Sequence, residues 1–293
     1  MLRVPESFAH DMIRREGAAA RRWIEALPAL AERFLTGWRL EPDGEPMHGF
    51  VGLVLPVTRA DGAPAVLKLT WLDTETRDEP TALSTWDGAG AVLLLESDPS
   101  QGALLLERLD AGRTLNDRPI VEATEIAGEL LRRLSVPAPA PIRRLRDEAA
   151  RLTETLPATW ARLGEPVPRR LVDTAVALCR ELGPESGTML VNEDLHYENV
   201  LAGTREPWLV IDPKPVAGDP EFAVIPLLWN RIDESTMEEK FAVVVGSAGL
   251  DRARAHAWTF VRAVQNWLWA LESAEAMAPG LATITHWAAR KVG

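Results

Sequence analysis

Between residues 6 and 36 apolar positions recur every three or four residues, at Phe8, Ile13, Trp23, Ile24, Leu27, Leu30 and Phe34, and this period predicts helix. From about 47 to 109 the pattern becomes extended. The stretch "FVGLVLPVTRADGAPAVLKLTWL" reads as two β-rich runs joined by "RADGAP", where Asp61-Gly62 is a hairpin-turn signal. A short helix around "TALSTW" follows, then a second strand pair, "AVLLLES" and "GALLLERLD", across "DPSQG". After "LDAGRTL" the chain turns mainly helical, in "PIVEATEIAGELLRRLS", "IRRLRDEAARLTETLPATWARLG", "RRLVDTAVALCRELG" and "HAWTFVRAVQNWLWALESAEAM". The change at 110–114 marks a boundary between a region 1–109, a mostly antiparallel sheet with one or two helices, and a larger helical region 110–293. "PAPAP" at 137–141 reads as a stiff helix-to-helix connection. No internal repeat is visible.

One island in the helical half is strand-like. "TMLVN" and "NVLAG" flank "EDLHYE", and "WLVID" follows shortly after. Asp194, Asn199 and Asp212 therefore stand where short apolar strands emerge. Asp and Asn are common in turns, but three of them at strand ends have a further meaning when set beside the first half. There, glycines at 44, 49 and 52 precede a strand and let backbone approach a phosphate. One hairpin later Lys68 sits inside the apolar strand "AVLKL". A lysine so placed needs an anionic partner, and Glu79, at the start of the next helix, is the nearest candidate. The order of parts is that of a kinase: flexible cover, strand lysine, helix glutamate, then an acid, an amide and a second acid.

Bulk properties narrow the chemistry. A chain of 293 residues with 46% hydrophobic composition can bury a large core, and a net charge of −11 with a pI near 5.1 argues against nucleic acid as the partner and suits small cations better. The single cysteine, Cys179, lies in an apolar-periodic stretch, which excludes a disulfide framework and points to a reducing cytoplasm. The N-terminus has no continuous apolar stretch of the signal-peptide kind, and no run reaches membrane-span length, so a soluble protein that is not exported is expected. His48 and His196 have no second His or Cys at ligand spacing, which rules against zinc.

The segments "VLPVTRADGAPAVLKL", "WDGAGAVLLLE", "ALLLERLDAGRTL", "DLHYENVLAG", "EPWLVIDPKPVAGDPEF" and "PLLWNR", running from about residue 51 to 231, resemble the aminoglycoside phosphotransferase superfamily. The similarity is strongest to its streptomycin 6-kinase or aminoglycoside/hydroxyurea resistance kinase branch, and "FVRAVQNWLWALE" extends it towards the end of the chain. The resemblance implies an α+β, protein-kinase-like bilobal fold with a small antiparallel-sheet N-terminal lobe and a larger helical C-terminal lobe. It implies ATP and Mg²⁺ as cofactors, an alcohol group as phosphoryl acceptor, and a monomer or weak homodimer. Carried over by position, Lys68 would meet the α/β-phosphates and pair with Glu79, under a cover that includes Gly49. The segment "LLERLDAG", with Glu107 and Leu109, would be the hinge against which adenine rests. Asp194 would be the catalytic base, and Asn199 and Asp212 the Mg²⁺ ligands.

Two positions depart from the family pattern. Where His and Gly usually precede the catalytic Asp, this chain has Asn192 and Glu193. The acidic residue usual after "GDPxF" is replaced by Ala223, which removes an expected brace of the catalytic loop. A nucleotide-binding pseudokinase is therefore an alternative to an active enzyme. The acceptor indicated by the resemblance is a streptomycin-type aminoglycoside, with hydroxyurea or another small metabolite as the alternative. Asp233, Glu234 and Glu272 are candidate ligands for its guanidinium groups. Trp267 and Trp269 in "NWLWALE" are of a type that stacks on guanidinium groups, but both read as core packing.

Overall fold

The computed structural model describes residues 2–273, 275 and 277–292. By their internal contacts the residues group into two compact units, 1–110 with 203–205, and 111–202 with 206–293.

The first unit begins with α1 (Glu6–Gly37), a long helix interrupted where Gly17 takes φ 67° and ψ −139°. Glycine alone adopts that backbone without strain, so the single period expected from sequence becomes two helical runs. The strands are β1 (Leu40–Pro42), β2 (Met47–His48), β3 (Gly52–Arg59), β4 (Pro64–Thr70), β5 (Leu94–Asp98) and β6 (Ala103–Glu107), with α2 (Glu79–Trp86) between β4 and β5. They form one sheet in the order β1-β3-β4-β6-β5, with β2 on β3. At the β3–β4 hairpin Gly62 has φ 82° and Asp61 Oδ1 accepts the Ala63 amide at 3.0 Å, the turn chemistry expected of an Asp-Gly pair.

Strand alternation then sorts side chains to the two faces of this sheet. Leu53, Leu55 and Val57 pair with Leu69, Leu67 and Ala65, and these six share a core with Phe8, Met12, Leu27, Ala31 and Phe34 of α1. Lys68 alternates with Leu67 and Leu69, so it points to the face away from α1, where it is paired across the strands with Val54 and Leu104.

The second unit contains β7 (Asp110–Thr114), α3 (Ile120–Leu134), β8 (Val136–Pro137), α4 (Leu145–Arg162), α5 (Arg169–Leu182), β9 (Met189–Asn192), β10 (Val200–Ala202), β11 (Leu209–Val210), β12 (Pro215–Gly218), α6 (Ile225–Trp229), α7 (Met237–Ala248), α8 (Arg252–Glu272) and α9 (Ala278–Ala289). Its strands make two small sheets, β11-β10-β7 and β12-β9-β8. Caps fix the helix limits: the Thr236 hydroxyl accepts the Glu239 amide at 3.2 Å before α7, and Asp251 accepts the Arg254 amide at 2.7 Å before α8. α3 and α7 approach so closely at Gly128 that a Cβ there would lie 1.9 Å from Ser247 Oγ. Helix α8 is buried along most of its length, from Ala255 to Val264. No helix among the described residues is long and apolar enough to cross a membrane.

Candidate active site

Lys68 and Glu79 meet as the sequence pattern requires of a strand lysine. Nζ donates to the Glu79 carboxylate oxygens at 2.6 and 2.8 Å, and the two side chains are only 7% and 2% exposed. Separating a pair this buried is costly, because each charge would lose its close counter-charge in the interior. Gly49 lies in the turn after β2, where its amide donates to the Gly52 carbonyl at 2.9 Å. The N-terminal helix secures this turn: the Arg15 guanidinium lies 3.5 Å over the Phe50 ring and also bonds the Phe50 carbonyl, and Phe8 packs on His48. Glu107, at the end of β6, accepts the Leu93 amide at 2.8 Å and the Arg205 guanidinium at 2.7 Å, so its carboxylate braces the segment leading to Leu109.

In the second unit the stretch 192–200 alternates between anchors and presented groups. Leu195, Tyr197 and Val200 are fully buried, while Asp194, His196 and Asn199 are part-exposed and Glu198 is exposed. Tyr197 roots the loop: its hydroxyl donates to the Leu227 carbonyl at 2.9 Å and lies 2.7 Å from Thr124 Oγ1, and burial pushes its pKa up to about 12. Asn199 Nδ2 donates to the Asp194 carbonyl at 3.2 Å, a bond that leaves its own side-chain oxygen as an acceptor. The β10–β11 hairpin pairs Val200 with Val210, and the Ile211 amide donates to Asn199 O at 2.9 Å. Asn199 and Asp212, which has φ 53°, therefore stand at the same end of that hairpin. An amide oxygen and a carboxylate are hard donors that suit Mg²⁺, which takes few protein ligands and fills its octahedron with phosphate oxygens and water. Among the described residues there is no cluster of three or more His, Cys, Asp or Glu able to hold a metal by themselves.

Three residues complete the site that sequence reading did not assign. Asn192 Oδ1 accepts the amides of Asp194 at 3.1 Å and Lys214 at 3.0 Å, and the Glu193 amide donates to the Lys214 carbonyl at 3.0 Å. The end of β9 is thereby tied to the start of β12, and Lys214 Nζ comes to 3.3 Å from Asp194 Oδ2. Arg262, from buried α8, donates to the carbonyls of Glu193 at 2.8 Å and Phe222 at 3.1 Å. The Glu193 carboxylate meets Arg143 and lies 3.7 Å from Arg262 Nη2. Ala223 is fully buried and its methyl group offers no hydrogen bond to the loop, while Arg262 braces that segment through the backbone carbonyls of Glu193 and Phe222. The sequence signal for Arg262 was an arginine inside the apolar run "FVRAV"; nothing local announced Lys214.

The acidic acceptor candidates lie apart from this constellation in sequence and each of two has a partner in its own chain. Glu234 binds Arg231, with the Arg231 Nε at 2.7 Å, and Glu272 binds Arg162; these guanidinium groups hold both carboxyls below the usual carboxylate range. Asp233 is on the exposed turn beside Glu234. Trp269, expected in the core, is 43% exposed, since it stands on the solvent side of α8. Cys179 is buried, and desolvation raises its pKa to about 12, so the thiol is inert.

A family model described as aminoglycoside/hydroxyurea antibiotic resistance kinase matches residues 37–274. Hydroxyurea phosphotransferase of Kitasatospora aureofaciens is 46% identical over 283 residues, 95% of this chain and 83% of that protein. Streptomycin 6-kinase of Streptomyces glaucescens is 43% identical over 297 residues, covering 98% and 97%. Among solved structures, choline kinase LicA from Streptococcus pneumoniae shares the fold with a TM-score of 0.59 at 14% identity, over 92% of this chain and 99% of that one, and LicA has also been solved in complex with AMP. The fold, the residues matched and the extent of identity together make this chain a member of the aminoglycoside/hydroxyurea antibiotic resistance kinase family.

Proposed function

We propose that the protein is an ATP- and Mg²⁺-dependent O-phosphotransferase that inactivates a streptomycin-type aminoglycoside. The observation that carries this reading is the loop 192–200, which presents Asp194 on buried anchors and bonds Asn199 to it at 3.2 Å. Lys68, held by Glu79, takes the α/β-phosphates. Asn199 and Asp212 hold Mg²⁺, which neutralises phosphate charge when bound. Asp194 accepts and orients the acceptor hydroxyl proton, so that the oxygen's lone pair faces the terminal phosphorus. Catalysis is then positioning and electrostatics. The net charge of −11 favours a cationic acceptor over an anionic one. The supply of ATP and a single inert thiol suit the cytoplasm.

A second reading changes only the acceptor. The 46% identical relative carries the name hydroxyurea phosphotransferase, so hydroxyurea belongs in the same assay. With streptomycin, other aminoglycosides and hydroxyurea offered in turn, we expect streptomycin to be phosphorylated fastest. In Asp194→Asn turnover should fall by roughly two to four powers of ten, the usual worth of a positioned acid-base group. Undiminished turnover in that variant would remove Asp194 from the reaction, and wild-type protein that phosphorylates no acceptor would favour a nucleotide-binding pseudokinase.

A further inference from the structure

We propose that Lys214 is a catalytic residue that binds the phosphoryl group in flight. The inference rests on the O-phosphotransferase reading. Its starting point is the 3.3 Å approach of Lys214 Nζ to Asp194 Oδ2. The backbone around Lys214 is fixed on both sides. Its amide is held by Asn192 Oδ1, its carbonyl accepts the Glu193 amide, and the next residue, Pro215, is paired with Asn192 in the β9–β12 register. Asn192 itself is 1% exposed. The clamp is buried and the ion pair it positions is part-exposed: the side chains of Lys214 and Asp194 are 29% and 25% exposed. A pair that water still reaches contributes modestly to stability, so stability alone is a weak reason for so much fixed backbone.

Chemistry supplies a stronger one. For Asp194 to take the acceptor proton, the acceptor oxygen must lie within a hydrogen bond of its carboxylate. The phosphorus being attacked is then about one further bond away, with its three equatorial oxygens around it. A carboxylate and a terminal phosphate repel each other at that range, and an ammonium within 3.3 Å of the carboxylate offsets the repulsion where it is largest. In the step itself the acceptor O–P bond forms and the bond from phosphorus to the β-phosphate oxygen breaks. The electron pair leaves with ADP, and the acceptor proton passes to Asp194. Lys214 keeps its protons throughout and lends N–H donors to the equatorial oxygens, whose hold on it strengthens as charge spreads over them.

The test uses the full chain and separates binding from turnover. Calorimetric titration with Mg·ADP, and with Mg·ADP plus aluminium fluoride as a stand-in for the phosphoryl group in flight, is run on wild type, Lys214→Met and Lys214→Arg. We expect all three to bind Mg·ADP within about twofold of one another, because ADP lacks the group in question. Aluminium fluoride should tighten wild-type binding, and Lys214→Met should lose roughly 10- to 100-fold of that tightening, the worth of a charge-assisted hydrogen bond. Lys214→Arg should recover most of it. In turnover assays Lys214→Met should lower kcat with little change in KM for the acceptor, a split that a merely structural ion pair would not produce. Equal aluminium fluoride tightening in wild type and Lys214→Met, or no tightening in wild type, overturns the inference. Wild-type protein that tightens on aluminium fluoride yet phosphorylates no acceptor would instead sink the proposed function, and the Lys214→Met comparison would still decide the role of Lys214.

Discussion

Asn192 illustrates how one side chain can serve two loops. Its Oδ1 is the common acceptor for the Asp194 and Lys214 amides, in a position with 1% exposure. Asn192→Ala would leave both amides without that acceptor, and a buried donor left unpaired costs about 1–3 kcal/mol. We therefore expect a loss of roughly 2–4 kcal/mol in urea unfolding, together with a fall in turnover because the two loops lose their common anchor. Asn192→His offers a single acceptor nitrogen and so keeps at most one of the two bonds. The same residues mark how far sequence reading goes. Lys68 and Glu79 were legible because a charge in an apolar strand demands a partner, and the nearest acid at a helix start was that partner. The Asn192 clamp, the Glu193 contacts with Arg143 and Arg262, and the Lys214–Asp194 pair were not, because each joins residues whose proximity is set by strand register and by the packing of α8, neither of which a local pattern encodes.

At the scale of elements, periodicity did most of the work. The β3–β4 hairpin, α2, the β5–β6 pair and the long helices of the second unit follow from alternation and three-to-four spacing. Of the two-residue strands β2, β8 and β11, only β11 was visible, inside the apolar segment "WLVID"; β2 and β8 have too few positions for any period to be read, and the break at Gly17 is a backbone event that the apolar pattern runs straight through. Helix α8 shows what burial of an element does to its polar members. His256 stacks on Phe241 at 3.9 Å between ring centres and contacts Trp287, and desolvation, aided by Arg252, lowers its pKa to about 4, against the opposing pull of Glu238; Lys291 acts in the same direction as Arg252. Below pH 6.5 the unfolded chain takes up a proton at this histidine that the folded chain refuses until about pH 4. The contribution of His256 to stability therefore falls as the pH drops through that window, by as much as roughly 3 kcal/mol, and is flat above it. Urea midpoints measured between pH 5 and 6.5 should show a shallower slope in His256→Phe than in wild type; an identical slope would mean that His256 titrates normally.

At the scale of the whole molecule, the groups proposed for the nucleotide and for its metal belong to different compact units, and this makes their contributions separable by experiment. Lys68 and Glu79 pair with each other within the first unit, and Asn199 and Asp212 stand at one end of a hairpin within the second. A ligand that binds only the folded chain raises its thermal midpoint by mass action. ADP alone should therefore raise it through the first set, and adding Mg²⁺ should raise it further through the second. Asp212→Ala should abolish the Mg²⁺-dependent increment and leave the response to ADP alone nearly unchanged. Lys68→Met should have the opposite effect, reducing the response to ADP itself, although its baseline midpoint will also fall because buried Glu79 loses the ammonium it is paired with. At nucleotide concentrations near 100 times Kd the wild-type increment corresponds to about 2.7 kcal/mol, which is several degrees for a chain of this size and well within measurement. A Mg²⁺ increment that persists undiminished in Asp212→Ala would take Asp212 out of the metal site, and the hard-oxygen donors would then have to be sought elsewhere on the loop that Asn199 closes.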